Sequence, residues 1–182
     1  MKMTESNPGA LANLVTHLTA LEKVDGKVGW FESAKYPDGT PVAGTMAVQE
    51  LGSPKMSIPP RPYFRSTSAE QAAAWKAISG QLANRVLAGE ITAEQAMDLL
   101  TQQAENDVLR KIESITAPKL SDLTLAARKY RKEGKKVTGA TLGELSRKLR
   151  DKQIDLSGVS TKPLDETGRA IATLTHIVES KA

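Results

Sequence analysis

The sequence contains no cysteine, which excludes disulfide bonds, thiolate metal sites and thiol catalysis. This absence is compatible with a reducing compartment without establishing one. No run of about 18 apolar residues occurs, which excludes an ordinary transmembrane helix. The first residues lack the apolar segment of a signal peptide. The sequence therefore predicts a soluble, unexported protein with no membrane partner.

Residues that could carry catalysis or bind a metal are few. The two histidines, His17 and His176, lie far apart and lack the HxxxH or HxH spacing of a metal site. We interpret both as surface or packing residues. The adjacent Asp165 and Glu166 are either a pair of general acids or caps of the following segment. With no GxGxxG, P-loop or GxSxG motif, we predict no catalytic residue, no cofactor, no metal and no small-molecule substrate, hence no enzyme.

Aromatic residues make up only 4% of the chain, and most of them fall in one stretch. Residues 28–65 read VGWFESAKYPDGTPVAGTMAVQELGSPKMSIPPRPYFR. They contain one of the two tryptophans and four of the five phenylalanine and tyrosine residues. In a chain so poor in aromatics, this concentration predicts the centre of the core.

The local signals within this stretch are clear. Residues 28–31 have the apolar and aromatic side chains that favour a strand. Pro37 and the following Asp38-Gly39 favour a tight reversal, so we expect residues 36–42 to form an exposed loop. Residues 58–65, IPPRPYFR, predict a stiff extended tether, because proline cannot join a helix or sheet interior.

Apolar spacing predicts a helix before this stretch and a pair of helices after it. The first helix starts near Gly9, with Asn7 or Ser6 as its cap, and Asp25-Gly26 turns the chain into the strand. The next helix is expected to begin at Thr67 or Ser68, within a capping box. A second capping box at Thr92 opens the following helix. Because the link between them is short, we predict an antiparallel helical hairpin at about residues 67–116.

The remainder contains shorter elements. Ser121 is expected to cap a third helix, and Thr141 to open a capping box for a fourth. The β-branched second half of residues 170–178 predicts a strand. Together these signals predict a helix-rich α+β fold with a small, mainly antiparallel sheet packed against helices. We expect a single domain over residues 1–182, with the hairpin 67–116 and a basic segment 120–160 as elaborations.

Positive charge is concentrated in one segment. Ten basic and three acidic residues lie between Arg128 and Lys152, a local charge of +7 in a chain whose total is +4, which leaves −3 elsewhere. Three interpretations stay open: a solvated helix face, docking to an acidic partner, or nucleic-acid binding with Tyr130 as a stacking ring. The candidate docking residues are Arg128, Lys129, Arg131, Lys132, Lys135 and Lys136.

Two blocks of the sequence also follow the order of a known family. The first is VGWFESAKYPDGTPVA, AVQELG and IPPRPYFR: a strand, a turn, a short helix and a proline-rich tether. The second is KPLDETGR at residues 162–169, similar to a KPL-x-DTG-x-L ending with a short strand after it. In this order the two blocks resemble the tail-completion and head–tail joining proteins of long-tailed bacteriophages, and they frame nearly the whole chain. We expect the closing block at residues 162–169 to lie near residues 28–65 in the fold.

The resemblance implies a structural role in the virion neck. Such proteins form a ring that joins the head, through its portal or adaptor, to the tail, or that caps the tail tube. The implied partners are further copies of the chain, portal or adaptor proteins and tail-tube proteins, with possible contact to DNA in the channel. The implied location is the virion, after assembly in the host cytoplasm. The alternative function is a basic nucleic-acid-binding protein that uses residues 128–152.

Six residues of the two blocks are candidates for fixing the fold or forming an interface. The stiff tether would hold aromatic side chains at a fixed site with little ordering cost. For Tyr63 and Phe64, plain core packing is the competing interpretation. The candidates are Tyr36, Asp38, Arg61, Tyr63, Phe64 and Arg169.

Overall fold

The structure, a computed structural model, describes residues 8–164 and 166–181 and confirms the predicted helix-rich α+β class. The elements within these ranges are α1 (Pro8–Glu22), β1 (Val24–Gly29), α2 (Val42–Leu51), a 3₁₀ turn (Pro54–Met56), α3 (Phe64–Leu87), α4 (Ala93–Ser114), α5 (Asp122–Lys132), α6 (Gly139–Arg150), α7 (Arg169–Thr173) and β2 (Thr175–Ser180). The expected cap at Asn7 or Ser6, and Asp165 of the acidic pair, lie outside the described residues.

The sheet consists of β1 and β2, which pair antiparallel from Val24 opposite Ser180 to Gly29 opposite Thr175. The predicted closing strand is therefore confirmed, and α7 occupies the residues just before it. The first strand lies earlier than residues 28–31. Its bounds depend on a partner about 150 residues away, which a local pattern does not reveal.

The predicted turn at Asp25-Gly26 is wrong, since both residues pair within β1. Gly26 instead allows the strand to approach α4 closely. A Cβ atom at this position would lie 2.1 Å from Thr101 Cγ2 and 2.9 Å from Met97 Sδ. A side chain cannot be placed there without displacing the side chains of Thr101 and Met97, so this glycine serves packing rather than a reversal.

The predicted helical hairpin is confirmed as α3 and α4. The Thr92 capping box is present: Gln95 N donates to Thr92 Oγ1 over 3.2 Å, and Thr92 N donates to Gln95 Oε1 over 2.9 Å. Trp75 Nε1 donates to Asp107 Oδ2 over 2.8 Å, midway along the pair. Gly89, at φ +74°, takes the left-handed conformation that ends α3.

The predicted start of α3 is wrong, because the helix begins at Phe64 rather than at Thr67 or Ser68. The Thr67 hydroxyl donates to the carbonyl of Tyr63 over 2.6 Å and caps no N–H group. The side chain that takes the first N–H groups of α3 comes from Glu50, at the end of α2. A cap supplied from another helix leaves no signal at the helix start itself.

The capping prediction holds for α5 and fails for α6. Ser121 Oγ accepts from Thr124 N over 3.2 Å, which confirms Ser121 as the cap of α5. At α6 the cap is Thr138, whose Oγ1 accepts from Thr141 N over 3.2 Å. The predicted cap Thr141 therefore lies inside the first turn, because an equivalent hydroxyl three residues earlier takes the role.

Buried apolar residues form three clusters. The first joins the segment before α2, α2, the start of α3, α4 and α7; the second joins β1, the end of α3 and the start of α4; the third joins α5 and α6. The first comprises Ala34, Val42, Met46, Tyr63, Val108, Ile112, Ala170 and Leu174. The second comprises Val24, Leu82, Val86, Ala93 and Ala96. The third comprises Ala126, Ala127 and Leu145.

The side chain of His176 connects β2 to α4, on the face of the sheet that packs against this helix. His176 Nδ1 lies 2.5 Å from Glu105 Oε2, and His176 Nε2 lies 3.2 Å from Asp98 Oδ1. The hydrogen bond to Glu105 raises the pKa of His176 above its ordinary 6.5, and that to Asp98 adds to it. The charged imidazolium donates to both acids, so the strand–helix contact is strongest when His176 is protonated.

This contact predicts a pH-dependent stability. Because the folded-state pKa of His176 is raised, its contribution should be complete below pH 6.5 and decline as the pH rises through the folded-state pKa. The free energy of unfolding of the wild type should therefore fall relative to His176→Gln over that interval, measured by urea titration from pH 5 to 9. Thr175→Gln, at an exposed position beside His176, is the control and should keep a constant difference from the wild type over this range. An unchanged difference between wild type and His176→Gln at all pH values would contradict the assignment.

Candidate assembly surfaces

Glu50, the residue that joins α2 to α3, is buried, with 7% of its surface exposed. Its Oε2 accepts from the backbone N–H groups of Tyr63 and Phe64 over 2.6 and 2.9 Å. Its Oε1 accepts from Arg65 N and Arg65 Nε, both over 3.1 Å. One carboxylate thus satisfies three consecutive N–H groups at the positive end of the helix dipole.

The charge of Glu50 follows from these bonds. Burial alone would raise its pKa, but the hydrogen bonds from Phe64, Arg65 and Tyr63 outweigh burial and hold the pKa below the ordinary 4.5. The carboxylate is therefore ionised at neutral pH. No local pattern marks Glu50 in the sequence, because its partners lie 13 to 15 residues further on, beyond a proline-rich segment.

Replacing this carboxylate should destabilise the protein. We expect Glu50→Gln to lower the free energy of unfolding at pH 7 by about 2–3 kcal/mol, since charge-assisted bonds are lost and an NH₂ group faces N–H donors. Because the pKa of Glu50 is lowered on folding, the loss should shrink as the pH falls below 4.5. The measurement is urea unfolding followed by circular dichroism. Exposed Glu113→Gln is the control, expected within about 0.5 kcal/mol of wild type; equal losses in both variants would contradict the capping role.

Arg61, in the proline-rich tether, is buried with 3% of its surface exposed. Its Nε and Nη2 donate to the carbonyl of Pro118 over 3.2 and 2.9 Å, and its Nη1 donates to Gln49 Oε1 over 2.8 Å. Its backbone N–H donates to the carbonyl of Gln49 over 2.7 Å. The tether is thereby held between the end of α2 and the loop that follows α4.

Tyr63 and Phe64 lie in an aromatic group with Trp30. The ring centroids of Trp30 are 5.8 Å from those of both Tyr63 and Phe64, in edge-to-face geometry. Tyr63 is 1% exposed and its hydroxyl donates to the carbonyl of Met46 over 2.7 Å. Burial, with the nearby charge of Glu50, raises the pKa of the Tyr63 hydroxyl. These contacts are internal, so the structure favours fold-fixing for this pair, and an interface role stays a prediction.

The planar guanidinium of Arg61 should be irreplaceable by another cation. Arg61→Lys keeps the charge, but its single nitrogen cannot take the places of the three guanidinium nitrogens that bond Gln49 and Pro118. We therefore expect a loss of about 2 kcal/mol in the free energy of unfolding. Urea unfolding monitored by tryptophan fluorescence measures it, because Trp30 lies in the adjoining core. Exposed Arg147→Lys should stay close to wild type. If Arg61→Lys leaves the free energy of unfolding unchanged, these bonds contribute little to stability.

The predicted loop at residues 36–42 is exposed over residues 37–41, whereas Val42 is fully buried and starts α2. Tyr36 N donates to the carbonyl of Thr40 over 2.9 Å, and Asp38 Oδ1 accepts from Thr40 N over 3.0 Å. Gly39 takes φ +86°, which suits glycine. Tyr36 is half-buried, so the loop has an anchored base and an exposed tip.

The two sequence blocks meet in space, as predicted. Val28 pairs with His176 across the sheet. Trp30 Nε1 donates to the carbonyl of Ala170 over 2.7 Å, and Arg169 Nε donates to the carbonyl of Lys35 over 2.9 Å. The proximity of the closing block to the opening stretch is therefore confirmed, and Arg169 steadies the base of the loop at residues 36–41.

Half of the candidate basic face is engaged within the chain. Arg128 is 8% exposed, and its Nη1 donates to the carbonyls of Ser160 and Lys162 over 3.0 and 2.9 Å. Arg131 holds both oxygens of Glu166 over 2.7 and 2.8 Å. Lys129 Nζ donates to the carbonyl of Asp155 over 2.6 Å. These three bases fasten α5 to the segment at residues 155–166.

The other candidates, Lys132, Lys135 and Lys136, are exposed. Lys135 Nζ donates to Glu133 Oε2 over 2.6 Å, and this bond raises the pKa of Lys135. The same nitrogen lies 4.9 Å from the centroid of the Tyr130 ring. Further exposed cations lie on and after α6. Docking to an acidic partner or to nucleic acid stays a prediction for this reduced surface. The further exposed cations are Arg147, Lys148, Arg150 and Lys152.

Two exposed apolar surfaces were not predicted. On α1, four residues at helical spacing face away from the body: Leu11 (65% exposed), Leu14 (39%), Val15 (54%) and Leu18 (45%). Near the end of α2, Leu51 and Met56 are each 65% exposed. The periodicity of α1 predicted an apolar face, but periodicity does not show whether another element covers that face. Clustered exposed apolar side chains are typical of protein–protein contact surfaces.

Other features of the described residues, 8–164 and 166–181, are less distinctive. They contain no group of three or more acidic or histidine residues arranged to hold a metal ion, and none of their helices has the length and hydropathy to cross a membrane. A mainly apolar cleft of about 360 Å³ lies between β1, α3 and α4, lined by Val28, Phe64, Arg65, Ser68, Trp75, Ala104 and Val108. Comparison with protein-family models, curated proteins and solved structures finds no match.

Proposed function

We propose that this chain is a structural protein of a bacteriophage neck, which forms a ring that joins the head to the tail or caps the tail tube. Its partners are further copies of itself, the portal or adaptor, and the tail-tube protein. It acts by binding and positioning rather than by catalysis. Its location is the virion, reached by assembly in the host cytoplasm.

The observation that carries this proposal is the contact between the two family-like blocks in the folded chain. Residues 28–65 and 162–169 are far apart in the sequence, yet Arg169 bonds Lys35 and the Trp30 indole bonds Ala170. A chance resemblance of two separate motifs would not require them to share one structural unit. Their contact supports the view that they are parts of one ancestral architecture.

The exposed surfaces also suit self-association. The strands β1 and β2 each have one edge without a strand partner in the part of the chain that the structure describes. Such short edges accept a strand from a neighbouring subunit. The uncovered apolar row of α1 supplies a second kind of contact, driven by removal of apolar surface from water. A ring needs complementary, non-identical surfaces on each subunit, and these features offer several.

The exposed loop and the exposed lysines of the candidate set would bind the partner proteins. The anchored loop at residues 36–41, with Asp38 near its tip, presents a rigid projection to the portal, adaptor or tube. The exposed cations Lys132, Lys135 and Lys136 would contact acidic protein surfaces, or the phosphates of DNA in the channel. Rigid, preorganised contacts of this kind lower the entropic cost of assembly.

A joining experiment tests the proposal. Particles of the phage that carries this gene, assembled without the protein, should accumulate as unjoined heads and tails in electron micrographs. Adding the purified protein should restore joined, infectious particles. Normal infectious virions in its absence would refute the proposed role.

A matched pair of variants tests the basic surface in the same assay. The double substitution Lys132→Glu and Lys136→Glu reverses charge at exposed positions and should reduce joining, because it repels an acidic partner. Lys76→Glu, an exposed lysine of α3, is the control and should join normally. Equal joining by both variants would remove this surface from the proposal.

A further inference from the structure

One side of α1 is unpartnered while the other packs on the hairpin. His17 Nδ1 lies 3.3 Å from the carbonyl of Leu87, and Ala20 and Leu21 pack on the cluster that contains Val86. The adjoining side carries the apolar row defined above, which no described residue covers. Residues 9–21 contain no lysine, arginine, aspartate or glutamate. The surface is therefore suited to an apolar partner.

The second exposed apolar surface is a rigid corner at residues 51–58. Ser53 N donates to the carbonyl of Ile58 over 2.8 Å, and Ile58 N donates to the carbonyl of Ser53 over 2.9 Å. Gly52, at φ +74°, packs so closely that a Cβ atom would lie 2.8 Å from Pro60 N. Leu51 and Met56 are thus exposed on a segment with a fixed conformation, which we call the 51–58 corner.

The two apolar surfaces lie at opposite ends of α3. The row on α1 lies near the C-terminal end of α3, where His17 meets Leu87. The 51–58 corner lies near the N-terminal end, where Glu50 caps the helix. At about 1.5 Å per residue, the 24-residue helix is about 36 Å long, so the two surfaces lie near different ends of one long element.

Charge around the two surfaces differs in sign. Beside α1 are the exposed acids Glu22, Glu90 and Glu94, together with Lys23 and with Arg85, which pairs with Glu90 over 3.2 Å. Beside the 51–58 corner are the exposed bases Lys55, Lys119 and Arg65. The acid there, Glu50, is buried and bonded to Arg65. Complementary rims of this kind favour correct docking of one surface on the other.

We infer that the apolar row of α1 in one copy of this chain docks on the 51–58 corner of the next copy. The contact is head-to-tail, because it joins two different surfaces located at opposite ends of the subunit. Repetition of such a contact closes into a ring or continues as a filament. The inference rests on the self-association in the proposed function and names the surfaces that make it.

Disulfide trapping tests the contact, and the absence of native cysteine makes the result easy to interpret. A chain carrying both Val15→Cys and Leu51→Cys should form a ladder of covalent oligomers under mild oxidation, because the two thiols meet only between copies. The control chain pairs Val15→Cys with Leu99→Cys, another exposed leucine. A ladder no stronger than that of the control would overturn the inference.

Single-cysteine chains identify the occupant of the α1 row. Val15→Cys mixed with Leu51→Cys should give covalent dimers and nothing larger, whereas each alone should stay monomeric after oxidation. Dimers from Val15→Cys alone would mean that α1 packs on α1 of a second copy, which contradicts a head-to-tail contact.

A charged substitution separates this inference from the proposed function. Leu11→Asp changes the most exposed residue of the row, at 65%, so the thermal midpoint should stay close to wild type while the ladder is lost in the two-cysteine chain. The same variant should fail to restore joining of heads and tails. If it joins them normally, the inference falls and the proposed function stands. If the two-cysteine chain forms the ladder while wild-type protein never joins heads to tails, the proposed function falls and the contact stands.

Discussion

The buried carboxylate of Glu50 is the constraint on which much of the structure depends. It accepts the N–H groups of Tyr63, Phe64 and Arg65, and so sets where α3 begins and how it meets α2. This joint fixes the position of the C-terminal end of the proline-rich tether, and Tyr63 is thereby held in the core. A local helix-start motif would not provide this, because it orders one helix end without joining two helices.

That joint also decides which parts of the molecule are free to meet a partner. Tyr63 and Phe64 pack inward against Trp30, while residues 37–41 of the loop are left exposed. The long axis of α3 then separates the row on α1 from the 51–58 corner. A subunit with different apolar surfaces at its two ends is suited to repeated head-to-tail assembly.

Charge counted along the sequence overstates the charge available to a partner. Residues 128–152 carry +7 by composition, but Arg128 and Arg131 hold Glu166 and backbone carbonyls of the following segment. These bases therefore stabilise the fold of the basic segment. The cations left at the surface lie at the end of α5, in the loop that follows it, and on and just after α6, so any binding of an acidic partner or of DNA would depend on them.

The sequence by itself determined the elements whose signals are local: the hairpin with its Thr92 box, the α5 cap at Ser121, the short closing strand and the helix-rich class. Helical periodicity and capping act over three or four residues, so they can be read directly. Only the tertiary structure decided the start of α3, the pairing of Gly26 within β1, the internal use of Arg128 and the exposure of the α1 row. Each of these depends on a partner far along the chain, or on the lack of one, and no local pattern contains that information.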